Sequence, residues 1–341
     1  MLFYRDLENI VFTRNKLFHC DELVVISGYV GPNPICRIKD LPLKTTVIYG
    51  MYGAEGIQNS LHNALLAKSQ EIENLDILYS SIPVHAKCYI WKNHGKIVHA
   101  LIGSANFSSN GLSTPYKEVL AETTIDTFGA LEDYLNKIIE SAIQCDKAIV
   151  KTNKTRSKTK IGYVVNDPDI CPMPLYIERN GIKKIQDFHG INWGMAKKNG
   201  AHVTINDACI KIGMELIKYY PQMFPPKQKS PSNTDGVRRK NHRHNDSIDI
   251  IWDDGTNMVG LLEGSVPKIE DGERVVYPKQ LSTTPSKAVL GKYLRARLGV
   301  KEGEPITMDD LEKYGRTTID VSLQGEGIYY FDFSPDSNSQ T

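Results

Sequence analysis

Residues 84–111, VHAKCYIWKNHGKIVHALIGSANFSSNG, constrain this chain more than any other stretch. His85 and Lys87 stand two apart in a run of strand formers, and a strand carries alternate side chains on one face, so the two can converge on one ligand. An imidazole beside an ammonium selects an anion. Residues 89–91 and 97–102 are rich in β-formers and flank Asn93-His94-Gly95, which predicts a tight hairpin returning the chain to where it began. There Gly103 leaves room for the backbone to approach a phosphate, and Ser104 and Asn106 supply short neutral donors for its non-bridging oxygens. A neutral imidazole is a competent nucleophile toward phosphorus, with Lys87 offsetting the charge that develops on the equatorial oxygens.

His85-x-Lys87 followed by Gly103-Ser104-x-Asn106 resembles the signature of the phospholipase D superfamily. The superfamily's Asp five residues beyond the Lys is replaced here by Lys92, a departure that fits the nuclease branch better than the lipases. The resemblance further implies an acid about a dozen residues past the Asn that orients the nucleophilic His. Glu118 matches it, with Glu122 as the alternative, since residues 118 and 122 would share one strand face.

At 341 residues the chain is long enough for two or three domains, and 40% hydrophobic with 24% charged residues is ordinary for a globular protein. A net charge of +1 does not exclude nucleic acid, because residues 151–160 carry five basic side chains and no acid, and 238–244 form another basic run. The six cysteines are scattered without C-x-x-C or His spacing and indicate neither zinc nor a disulfide framework, so a reducing cytoplasm is the expected home. No metal and no other cofactor is expected. The first residues are too interrupted by charge for a signal peptide, and no run approaches the roughly 20 apolar residues of a spanning helix, so no membrane partner is expected.

Strand-like runs at 23–30, 45–49 and 75–79 alternate with helical spacing over 56–69, which predicts an α/β layer; a strand over 118–125 and a helix capped by Asp126, with Phe128, Leu131, Leu135, Ile138, Ile139 and Ala142 on one face, complete it. The glycines of 51–56 lack the Walker spacing and its Lys and read as a turn. A domain of residues 1–150 is expected, then a basic linker over 151–181. The next domain, 182–334, holds short strand candidates at 191–194, 203–205, 248–252, 258–262, 275–277 and 327–333, the spacing of a small barrel, with one helix over 286–298 stopped by Gly299. Residues 225–246 read as a long insertion whose His242 and His244 lack the neighbours of a metal site, and 335–341 as a tail.

Asn192-Trp193-Gly194, the run LGKYLRARLG over 290–299 and DLEKYGR over 310–316 resemble the C-terminal domain of NgoFVII-type restriction endonucleases, itself similar to the pseudobarrel of plant B-three transcription factors. That resemblance implies two loops that enter the major groove, which fall by order at 195–202 and 278–287. Lys197, Lys198, Asn199, His202, Gln280, Ser282, Thr283, Thr284 and Lys287 are then the expected contacts with double-stranded DNA. The whole reads as an α/β phospholipase D-type nuclease domain joined to a mostly-β pseudobarrel that reads sequence, that is, a type II-like restriction endonuclease. The resemblance implies a covalent phosphohistidine and a cognate DNA methyltransferase. Relatives of this architecture can also need a separate ATPase or translocase subunit. Because the chemistry needs two histidines and the chain has one His-x-Lys outside the predicted hairpin turn, His94-Gly95-Lys96 falling within that turn, a homodimer is expected. The rivals are a lipid phosphodiesterase or phosphatidyltransferase, which would want an apolar docking surface, and a DNA-binding regulator with an inert nuclease domain.

Overall fold

The computed structural model describes residues 1–154, 167–227 and 245–335, and the backbone of 158–159 and 162–163. Residues 155–157 and 160 of the basic run, and most of the insertion 225–246, His242 and His244 included, lie outside the described residues. Two units are found, the first comprising Met1–Asn153 with Ser247–Ile251 and Gln324–Ile328, the second Lys154–Asp246, Trp252–Leu323 and Tyr329–Thr341.

The first unit is built on β1 (Leu2–Phe3), β2 (Glu22–Ser27), β3 (Lys44–Tyr49), β4 (Leu75–Ser80), β5 (Lys87–Asn93), β6 (Lys96–Gly103), β7 (Leu120–Glu122) and β8 (Ala142–Gln144), in the spatial order β1-β7-β6-β5-β2-β3-β4-β8. The central strands β2, β3 and β4 run parallel, and β5 joins β2 antiparallel. The sheet is therefore mixed. Strands β2 and β3 are buried at every residue but the first, which explains their near-continuous runs of β-branched and apolar residues. Its two longest helices are α1 (Asn59–Glu71) and α2 (Phe128–Ser141). On α2, Leu131, Leu135 and Ile138 share one face and pack on Val24, Ile26, Ile48, Ile90 and Ala100. The helix starts after Thr127 rather than at an Asp126 cap, and Ile139 stays 40% exposed, outside the stripe.

The hairpin between β5 and β6 turns through His94 and Gly95, whose φ of 49° and 77° are what a tight two-residue turn demands. This turn places residue 103 beside the start of β5. Gly50 and Val84 share a backbone hydrogen bond of 3.0 Å, and a Cβ on Gly50 would strike the Val84 carbonyl, so the segment entering His85 is seated against the end of β3.

The second sheet has seven strands: β9 (Cys171–Pro174), β12 (Ile210–Lys211), β13 (Asp246–Trp252), β14 (Asn257–Glu263), β17 (Gln280–Thr283), β18 (Thr318–Gly325) and β19 (Ile328–Asp332), in the order β9-β18-β19-β13-β14-β17-β12. Two hairpins stand outside it, β10 (Ile177–Arg179) with β11 (Ile182–Lys184), and β15 (Val266–Glu270) with β16 (Glu273–Tyr277). Helix α3 (Ala288–Leu298) ends at Gly299 in the left-handed region, and α4 (Met308–Tyr314) opens with a Thr307–Asp310 capping box. Strands β9 and β10 fall inside the stretch expected to be linker. Pro172 and Pro174 hide β9 from pattern reading, and it sits at the sheet's edge, where proline is tolerated. Residues 191–194 and 203–205, expected as strands, are not strands. The former lie in a 3₁₀ turn, Gly190–Asn199, because the Asn192 side chain clamps the backbone of Ile306 with two bonds of 2.8 Å. Buried Arg295 donates to the carbonyls of Gly291 and Glu304 and lies 3.4 Å from Asn192 Oδ1, so much of the motif that marks this domain is internal framework. Among the described residues, no helix is long and apolar enough to cross a membrane.

Candidate active site

Three sequence-predicted side chains meet above one glycine. A Cβ built on Gly28 would lie 2.8 Å from His85 Cδ2, 3.3 Å from Lys87 Nζ and 3.4 Å from Asn106 Oδ1. Gly28 follows β2, so the floor of the site is the carboxyl end of a central strand. His85 is exposed while Lys87 and Asn106 are buried, which presents the imidazole outward over a fixed polar base. Lys87 Nζ donates to the His85 carbonyl at 2.6 Å and stands 3.1 and 3.2 Å from the two ring nitrogens. Burial pushes the Lys87 ammonium below the ordinary lysine range, and the charges of Glu326 and Glu118 pull it back up.

The amide of Asn106 has a defined orientation. Its Oδ1 accepts from the Tyr29 N–H at 3.0 Å and from Ser27 Oγ at 3.3 Å, so its Nδ2 points the other way, where it donates to the Glu326 carboxylate at 3.1 Å. That acceptor is an anionic oxygen, the kind a phosphate offers. Ser27 Oγ shares its one proton between the Asn106 amide oxygen and the closer Tyr29 carbonyl, and accepts from the Phe107 N–H, tying the end of β2 to the loop after β6. Tyr29 meets the His85 ring edge-on at 5.9 Å, its hydroxyl bonded to Glu55; burial first, and then Glu55, push that hydroxyl up to about 12. Ser27, Gly28 and Tyr29 were expected only as part of a strand-like run over 23–30, which has Gly28 inside it. That glycine was the available signal.

Two of the expected residues have partners close by in the structure. A Cβ on Gly103 would collide with the Val119 carbonyl, so the glycine lets β6 and the chain before β7 pack together. Glu118 bonds to Ser104. Burial raises the Glu118 carboxyl, and the Ser104 bond and the Lys117 charge lower it again. Ser104 Oγ accepts the Val119 N–H at 3.1 Å, which fixes the exposed hydroxyl at the hairpin's return. The alternative acid, Glu122, is taken by Arg14 and by the Met1 ammonium. Lys92, where the superfamily has Asp, pairs with Glu132 at 2.7 Å. Among the described residues, no group of three or more His, Cys, Asp or Glu stands together as metal ligands would.

Two family models match in tandem: the NgoFVII restriction endonuclease N-terminal PLD domain over residues 5–152, and the NgoFVII C-terminal B3-like DNA-binding domain over residues 169–324. The chain belongs to the NgoFVII restriction endonuclease family. Its first domain is phospholipase D-like, with a mixed sheet and helices; its second is the B3-like domain, mostly strands in a nearly closed, barrel-like sheet. Among solved structures the chain is similar to NucT from Helicobacter pylori, with 19% identity, a TM-score of 0.34 and coverage of 42% of this chain and 97% of that one. It is also similar to Nuc from Salmonella typhimurium, a phospholipase D family member, with 13% identity, a TM-score of 0.30 and coverage of 40% and 89%. No curated protein matches the chain.

In the B3-like domain of this NgoFVII family member the expected DNA contacts divide. Lys197, Lys198, Asn199 and His202 are exposed at and after the end of the 3₁₀ turn. Ser282 and Thr283 do not reach outward; they are 0% and 1% exposed within β17, and Thr283 Oγ1 donates to the Ser286 carbonyl and accepts from the Leu290 N–H. A loop reading failed there because the two residues continue a strand and pair with Leu261 and Gly260 of β14. Thr284 is half-buried after it. Gln280 and Lys287 both donate to Glu263, at 2.7 and 2.6 Å, and Lys287 Nζ also lies 4.5 Å from the Trp193 ring centre.

Proposed function

We propose that this restriction endonuclease cleaves DNA at a specific sequence by type II-like, metal-independent hydrolysis through a covalent phosphohistidine, in a site shared by two copies of the chain. The single observation that supports this best is the convergence of His85, Lys87 and Asn106 over Gly28. His85 of one subunit attacks phosphorus: an N–P bond forms, the P–O bond to one side of the scissile phosphate breaks, and His85 of the partner subunit donates a proton to the departing oxygen. Water then attacks the phosphohistidine, its proton passing to the partner subunit's His85, and the N–P bond breaks. Lys87 and the amide of Asn106 hold the non-bridging oxygens, and Glu118 acts through the Ser104 hydroxyl.

The shared site is supported by chemistry and by surface. Two histidines are required and His-x-Lys occurs once outside the hairpin turn, where His94-Gly95-Lys96 lies, while Ile82, Ile102 and Val119, near the motif in the chain, stay 44%, 38% and 40% exposed, as a subunit interface would want. The chain has no Walker motif, so any ATP dependence resides in a separate subunit, and a cognate methyltransferase would protect the host DNA. Such an enzyme acts in the cytoplasm.

The test mixes wild-type protein with His85→Ala protein in excess EDTA, under conditions where subunit exchange is verified. Cleavage should persist without metal, and activity per wild-type chain should fall as mutant is added. Activity that stays proportional to wild-type chains would sink the shared site, and cleavage that needs Mg²⁺ would sink the metal-free mechanism.

A further inference from the structure

We propose that Gln280 reads an A·T base pair in the major groove and that buried Glu263 is its positioning residue, within a groove of the B3-like domain that runs from the edge strand β12 to the hairpin of β10 and β11. The proposal rests on this domain reading DNA, and goes beyond it in naming the surface, the reader and the base.

The groove is continuous. A cavity of about 370 Å³ is lined by Gln186, His189, Trp193, Lys211, Lys279 and Gln280. A second, of about 470 Å³, shares Gln186 and His189 and extends to Arg179 and Lys184 on the hairpin. Cations thus flank a strip of planar side chains, Lys184 being paired with Asp187, also in the lining, at 3.5 Å. This is the arrangement that takes phosphates at its rims and base edges at its centre. The β10–β11 hairpin stands outside the seven-stranded sheet, and its Asn180 and Gly181 both have positive φ, as a projecting two-residue turn requires.

Gln280 is singled out by what fixes it. It is the cross-strand partner of Lys211 at the sheet's edge, and its Nε2 donates to Glu263, which is only 7% exposed and also holds Lys287. A carboxylate only accepts, so it dictates which end of the amide carries nitrogen. Gln280 then keeps its carbonyl oxygen and one N–H for a ligand. That pair complements adenine, whose major-groove edge sets the N6 donor beside the N7 acceptor. Lys287, held by the same carboxylate over Trp193, braces the floor of the groove rather than reaching DNA.

The experiment uses the full chain carrying His85→Ala, so that bound DNA stays intact, and a pool of duplexes randomised over about 12 base pairs, with the bound fraction sequenced. This background should enrich one motif. Gln280→Met, which keeps the stem and removes the amide, and the isosteric Glu263→Gln should each flatten the preference for A·T at one and the same position about tenfold. Neither should change the melting temperature or the salt dependence. Arg179→Ala with Lys184→Ala should weaken all sequences alike. If both groove variants retain the motif at every position, or weaken every sequence equally, the assignment is wrong while DNA reading by the domain stands. If the background enriches no motif, DNA reading itself fails and the assignment with it.

Discussion

Gly28 shows how little atomic volume separates a strand end from the floor of a candidate active site. An added methyl group would meet the His85 ring, and that ring is exposed and can swing away, so the penalty should fall on chemistry rather than on folding. Gly28→Ala should lower the cleavage rate about 100-fold, since reacting groups displaced by about an ångström lose that much, with a melting temperature within a few degrees of wild type. Equal losses of both would mean that the glycine is merely structural. His99 makes a second case. Burial between Phe18 and Trp91, and then the positive charges of Arg14 and the N-terminal ammonium, lower its imidazole from about 6.5 to about 4. The Arg14 N–H donates to Nε2 at 3.0 Å, which needs a neutral ring there, so the 3.9 Å approach of His99 to Glu122 is not an ion pair. The unfolded chain binds a proton near pH 6.5 and the folded one only near pH 4, so stability is lost as pH falls through that window, by on the order of 3 kcal/mol. Denaturant midpoints between pH 4 and 7 should show this slope, and His99→Gln should flatten it; an unchanged slope would place the titration elsewhere.

At the scale of elements, the β5–β6 hairpin is the part of the site that local chemistry specifies most completely. Alternation put His85 and Lys87 together, the Asn93-His94-Gly95 turn closed the hairpin, and the return delivered Ser104 and Asn106. What the strand pattern could not show is which surface each glycine faces. Gly103 abuts the Val119 carbonyl across a backbone contact that cannot yield, in contrast with Gly28 under a mobile ring. Gly103→Ala should therefore destabilise the fold by about 2 to 4 kcal/mol through overpacking, seen as a lower denaturant midpoint with unchanged slope. A loss of activity at full stability would favour the phosphate-facing role. In the other domain, β9 was hidden by its prolines and β17 by its run of small polar residues. Their strand character comes from the neighbours they pair with.

For the whole molecule, a net charge of +1 conceals a division of labour that only local charge reveals. Affinity for duplex DNA should fall with salt at a log–log slope of about −0.9 per phosphate contacted. A slope flatter than about −2 would mean that Arg179, Lys184, Lys211 and Lys279 do not meet the backbone. The sequence by itself determined the order of the two domains, the grouping of His85, Lys87 and Asn106, and the mixed α/β and mostly-β classes, because periodicity, turn chemistry and motif spacing are local. Tertiary structure alone decided that Ser27 and Tyr29 orient the Asn106 amide, that Glu118 meets Ser104, and that Glu263 holds Gln280. Those partners lie as much as 79 residues apart in the chain, and no short-range pattern encodes which side chains an assembled sheet will bring within hydrogen-bonding distance.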